Sequence, residues 1–200
     1  MILNRENFKQ EDIDKYEDLN DDMILFHKTN YLNVEYLDDE VKHIKLPAKL
    51  FSYLIDTNIS SKYKSLLPYN VKIKKLNREG YWLQHTNYMG LQDENELTLH
   101  LAHDKEHSTL SLLWILLHEF RHKIQLNTKS ISSNVFNNNY EMLLKYINKP
   151  TDKTLHVFHE ILPYEIDANV FACEILNIEY PGSKFEITEE TLKMLEDETK

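Results

Sequence analysis

Residues 110–126 read LSLLWILLHEFRHKIQL, and this stretch decides how the rest of the chain is understood. From Leu110 to Leu117 every residue except Ser111 is apolar, the pattern of a helix buried on all sides. Then His118, Glu119, Arg121 and His122 arrive together within one turn and a half. Residues four apart on a helix lie one above the other, so His118 and His122 project from one face. Two imidazoles so placed can share one Zn²⁺ at about 2.0–2.1 Å each, in a tetrahedral site that needs a further protein ligand and, if catalytic, an open position for water. Glu119, beside the first histidine, is placed to act as general base. The competing reading is a pair of hydrogen-bonded core histidines. It is weaker, because polar groups on a buried helix carry a desolvation cost that a bound metal would offset.

Working outward, the 200 residues suit one domain, and a 42% hydrophobic content can bury a sizeable core. The formal net charge of −10 argues against general affinity for nucleic acid or an anionic membrane. Cys173 is the single cysteine, so an internal disulfide is excluded and a reducing compartment is natural. The first residues hold no apolar signal core and no apolar run is long enough to span a bilayer, so a cytoplasmic location is expected.

Upstream of the helix, Met1 to Glu40 carries twelve acidic and four basic side chains, with Phe8, Ile13, Tyr16 and Leu19 at helical spacing. It reads as an acidic amphipathic lead-in. Lys42 to Arg78 reverses the balance, nine basic residues against Asp56 alone. Lysines scattered over a domain surface are the simpler explanation. Lys49 to Ile59 reads as a helix. Val71 to Leu76, Tyr81 to Gln84 and Glu96 to His103 read as strands of a small sheet, to which Val34 to Leu46 could add another. His100, His103 and His107 form a second histidine group, but His100 and His103 fall on opposite strand faces and converge poorly on one ion. Ser108 is placed to cap the long helix.

Downstream, residues 127–139 (NTKSISSNVFNNN) read as a polar loop and Tyr140 to Ile147 as a short helix. A segment containing His156 and His159 follows, and Pro163 opens a helix to Asn177. That helix offers the missing ligand. Glu165 and Asp167 are both candidates, and two positions apart they cannot aim at one point. Glu165 shares its side with Ala168 and Ala172, whose small side chains admit a close neighbour, whereas Asp167 is turned about 200° away. Asn169 can support a histidine ligand from outside the metal shell. Ala168, Phe171, Ala172, Ile175 and Leu176 define the expected packed face.

HEFRH followed by EIDANVFA resembles the gluzincin division of the zincin metallopeptidases, with the ImmA/IrrE family and the minimal gluzincins nearest. The resemblance spans about residues 108–176. Phe120-Arg121 stands where those families often have a glycine, and Leu176-Asn177-Ile178 where they carry an apolar run ending in proline. It implies one Zn²⁺ on His118, His122 and Glu165, Glu119 as general base, and an α+β, mostly helical zincin-like fold with a small mixed sheet on the metal helix. On this reading one domain spans residues 1–200, with an acidic lead-in (1–40), a catalytic core (71–177) and a C-terminal helix (187–198).

The chemistry expected is hydrolysis of peptide bonds by a metal-activated water. His156, His159, Tyr164 and Arg121 are candidates to steady the oxyanion. In proteins resembling this one, a strand preceding the metal helix pairs with extended substrate, and Glu96 to His103 would fill that role. The leading expectation is an intracellular zinc protease with specific protein or peptide substrates, among which the resemblance brings in a transcriptional repressor. The alternatives are a zinc-binding regulatory or interaction module without proteolytic activity, and a metal-free helical interaction domain.

Overall fold

The computed structural model describes residues 9–17, 33–39, 42, 46, 48–64, 66, 70–76, 83–86, 96–102, 108–128 and 162–180. Its elements are α1 (Gln10–Glu17), β1 (Asn33–Tyr36), α2 (Ala48–Asn58), α3 (Ser61–Lys64), β2 (Asn70–Leu76), β3 (Leu83–Thr86), β4 (Glu96–Ala102), α4 (Thr109–Asn127) and α5 (Pro163–Leu176). Helix outweighs strand among these residues, in an α+β arrangement. The expected segments Tyr140–Ile147 and Ile187–Glu198 lie outside the described residues, as do the polar loop beyond Thr128, His103, His107, His156 and His159.

The helix α4 runs through the core that the described residues form. Every residue from Leu110 to Phe120 is buried. Its leucines share one core with Ile13 and Tyr16 of α1, Phe51 and Ile55 of α2, Val71 and Ile73 of β2, Leu99 of β4, and Ala172 and Leu176 of α5. Phe51 meets Phe120 edge-on, with ring centroids 6.4 Å apart, a favoured geometry for aromatic pairs. The helix starts where Ser108 Oγ accepts from the Ser111 N–H at 3.1 Å and Ser111 Oγ accepts from the Ser108 N–H at 3.0 Å. This reciprocal cap satisfies two amide hydrogens at the buried end of the helix.

The sheet has the order β1-β2-β4-β3. β1 and β4 both run parallel to β2, and β3 runs antiparallel to β4. The register sets Val71 beside Leu97 and Ile73 beside Leu99, and Val71, Ile73 and Leu99 are buried in the core while Lys74, one residue on from Ile73, stays exposed. Among the described residues the strand expected at Tyr81–Gln84 runs Leu83–Thr86, two residues past its expected end, with Tyr81 and Trp82 outside the described residues, and the strand expected within Val34–Leu46 runs Asn33–Tyr36. More consequentially, β4 is not an edge: it is hydrogen-bonded to β2 on one side and β3 on the other. Both its ladders are taken, so an extended peptide cannot add to it. The open edges of the described sheet belong to β1 and β3.

The helix α5 packs along α4 and ends where Asn177 takes the left-handed conformation, φ 52° and ψ 50°. The Ile178 N–H then reaches back to the Cys173 carbonyl at 3.0 Å and the Asn177 N–H to that of Glu174 at 3.1 Å. These are the two bonds of a Schellman cap, and asparagine is among the few side chains that tolerate this conformation. The Leu176 carbonyl accepts from the Tyr16 hydroxyl and, at 3.4 Å, from Lys15 Nζ, so α1 closes the C-terminal end of α5. Tyr16→Phe is expected to destabilise the protein by about 1 kcal/mol, the ordinary worth of a buried hydrogen bond, as read from urea unfolding. An unchanged midpoint would show that this contact contributes nothing.

Candidate metal centre

The residues of α4 and α5 that face each other form a ladder. Stepping back by four along α4 gives His122, His118 and Trp114; stepping forward by four along α5 gives Glu165, Asn169 and Cys173. Each meets its counterpart: His122 Nε2 lies 3.3 Å from Glu165 Oε2, His118 Nδ1 lies 2.8 Å from Asn169 Oδ1, and Trp114 Nε1 donates to Cys173 Sγ at 3.3 Å. Two antiparallel helices can hold this register only if they approach closely. Ala168 and Ala172, both 0% exposed, are the residues that permit it.

At the first rung three atoms converge. His118 Nε2 and His122 Nε2 are 2.9 Å apart, and Glu165 Oε2 stands 3.1 Å from the first and 3.3 Å from the second. His118, His122 and Glu165 therefore lie close enough to hold a metal ion. Around a tetrahedral ion with bonds of about 2.0–2.1 Å, neighbouring ligand atoms stand about 3.3–3.4 Å apart, so the triangle is only slightly tighter than a loaded site. His118 and Glu165 are buried and His122 nearly so. Trp114 stacks on the His118 ring at 5.0 Å and holds its plane.

The outer nitrogens decide what the inner ones present. Asn169 Oδ1 accepts from His118 Nδ1, and Gln125 Oε1, 2.8 Å away, accepts from His122 Nδ1. With the proton outside, each Nε2 offers its lone pair inward, next to a carboxylate oxygen. Three acceptors cannot share so small a space without a cation among them. In the metal-free protein that cation is a proton. Burial alone would lower the His122 pKa, but the Glu165 and Glu119 carboxylates and the hydrogen bonds to Glu165 and Gln125 outweigh it and push the imidazole up to about 9. A site that holds a proton so firmly can hold a divalent ion in its place, and the residues fit one.

Glu119 is 4% exposed, and its Oε1 lies 4.0 Å from His118 Nε2, beside the cluster but outside the triangle. Asp167, the alternative third ligand, is not brought to the triangle. Its carboxylate is gripped by Arg121, Nε to Oδ2 at 2.8 Å and a second guanidinium nitrogen to Oδ1 at 3.1 Å, and it also accepts from Gln125 Nε2. Burial would raise the Asp167 pKa, yet the hydrogen bonds from Arg121 and Gln125 and the Arg121 charge hold it below the usual carboxylate range. Arg121 is thereby spent on Asp167 and on the Phe171 ring, 5.1 Å beneath its guanidinium carbon. The Tyr164 ring stands 6.0 Å from that of His122.

The packed face of α5 runs through Glu165, Ala168, Asn169, Ala172, Cys173 and Leu176, while Phe171 and Ile175, expected on it, are only partly buried. Gln125 went unforeseen, although it lies three residues after His122, a spacing that puts both on one helix face. Compared with known proteins, the chain matches no protein-family model, no curated protein and no solved structure.

Proposed function

We propose that the protein is a zinc-dependent metalloendopeptidase with a zincin-like catalytic core, cutting specific protein substrates inside the cell. The observation behind this reading is the convergence of two imidazole lone pairs and one carboxylate oxygen within 3.3 Å of each other, with a second buried carboxylate alongside. Two nitrogens and one oxygen from three side chains are the donor set of a catalytic zinc site that keeps one position open. When bound, zinc supplies Lewis acidity, bringing the pKa of a water towards neutrality and polarising a carbonyl.

The chain's own groups do the rest. Glu119 takes the proton of the attacking water and passes it to the departing amine, and its burial keeps bulk water from competing for that proton. Asn169 and Gln125 keep the two imidazoles turned with their lone pairs inward. Of the residues expected to steady the oxyanion, Arg121 is engaged by Asp167, and Tyr164, whose ring stands 6.0 Å from that of His122, is the described one we assign to it. Extended substrate would have to pair with an open sheet edge, and β3 is the open edge next to β4.

Glu119→Gln is expected to retain zinc and lose about 10²–10⁴-fold in turnover, the usual worth of a general base. His122→Ala should lose both. The measurements are zinc content after exhaustive dialysis and cleavage of a denatured protein library. Undiminished cleavage by Glu119→Gln would remove Glu119 from the mechanism. Zinc without any cleavage in the wild-type protein would leave a regulatory metal-binding module, and no zinc at all would refute both.

A further inference from the structure

Gln125 is 3% exposed, on the face of α4 that meets α5. Its Oε1 faces His122 Nδ1 at 2.8 Å, while its Nε2 donates to the Tyr164 carbonyl at 3.0 Å and to Asp167 Oδ2. The two groups facing Nε2 are both acceptors without a proton to give, so the amide can sit only one way round. Turning it over would set a carbonyl oxygen against a carbonyl and a carboxylate, and would offer His122 a donor. Asp167, which fixes this orientation, is held in turn by the two-point pair with Arg121. Hydrogen bonds thus run from Arg121 to Asp167, from Gln125 to Asp167, and from His122 to Gln125, crossing between the helix that carries the histidines and the helix that carries Glu165.

We propose that Gln125 is the positioning residue for His122, setting its tautomer and ring angle for metal binding, and that Asp167 with Arg121 keeps Gln125 in its working orientation. This rests on the metal reading above and deepens it. It gives Asp167 a role as the anchor two positions after a ligand, and Arg121 a reason to stand inside the H-E-x-x-H run. The network also ties the spacing of the two ligand-bearing helices to the aim of one imidazole.

The test uses the full chain and zinc itself, with affinity read by competition against a chromophoric chelator. Gln125→Leu, which fills the space but neither accepts nor donates, is expected to weaken zinc binding about 10–100-fold. Gln125→Glu should be impaired as well, because it sets a carboxylate against Asp167 and the Tyr164 carbonyl. Combining Gln125→Glu with Asp167→Asn removes the repulsion between the two carboxylates, while the Tyr164 carbonyl still faces the carboxylate introduced at position 125, and should recover part of the lost affinity. A residue that merely fills space would show no such rescue. In the metal-free protein, nitrogen-15 spectra of labelled histidine should show a protected His122 Nδ1–H that disappears in Gln125→Leu. The proposal is overturned if wild-type protein binds zinc and Gln125→Leu loses less than about tenfold, or if the double variant is no better than Gln125→Glu. Wild-type protein that takes up no zinc refutes the metalloprotein reading instead, and the imidazole spectra then decide the positioning role by themselves.

Discussion

Glu165→Ala is expected to cost the protein its zinc. Glu165 contributes the anionic member of the triangle, and its Oε2 stands 3.1 Å and 3.3 Å from the two ligand nitrogens. Without it two imidazoles face each other with no anionic ligand to balance a divalent ion, since the Glu119 carboxylate stands beside the triangle and not in it. Losing a group that merely supports a ligand weakens metal sites about 10–100-fold, so losing a charged ligand should exceed about 100-fold. Chelator competition measures this directly, and Glu165→Gln should fall between, keeping an oxygen donor but losing the charge. If Glu165→Ala bound zinc within tenfold of wild type, the carboxylate would not be a ligand.

The second large effect is on metal removal, and it depends on pH. In the metal-free protein His122 keeps its proton up to about pH 9, against an ordinary value of 6.5. A folded-state pKa above the unfolded one means that protonation stabilises the fold fully below about pH 6.5, and that this contribution disappears as the pH climbs to about 9. Zinc needs the neutral ring, so over the same window it must displace one proton, and its apparent affinity should rise about tenfold per pH unit. At a zinc concentration a thousand times its dissociation constant the ion stabilises the fold by about 4 kcal/mol. For a domain of this size that corresponds to about 8–16 °C in Tm. Chelation should therefore lower Tm by about that amount near pH 9 and by progressively less towards pH 6.5. Melting curves with and without chelator across this range check it. An equal drop at every pH would show that zinc and the His122 proton do not compete.

Much of this site could be read from residues alone, for a definite reason. His118 and His122 share a face by helical geometry, and Ala168 and Ala172 mark where two helices can touch. Both signals are local and survive whatever the rest of the chain does. Gln125 carries no such signal. An uncharged amide is unremarkable until α5 brings the Tyr164 carbonyl and Asp167 against it, and only then does its orientation acquire meaning. Asp167 failed for a related reason. Its angular offset from Glu165 was legible, but the Arg121 partner that takes it up stands 46 residues away in the chain. The strands show the same limit. Alternation marks β2 and β4 as strands, but β3 falling outside β4 while β2 takes the inner side is a matter of crossover connections that no local pattern encodes.

The pairing of His122 with Glu165, His118 with Asn169 and Trp114 with Cys173 makes the centre a vernier, in which two scales of equal pitch coincide at every fourth mark. One residue inserted or deleted between Trp114 and His122, or between Glu165 and Cys173, would turn the marks beyond it by about 100° and break their register with the marks before it. A residue added after Thr128 or before Leu162 leaves both scales untouched. Length variation in this protein is thus forbidden along two short graduated segments.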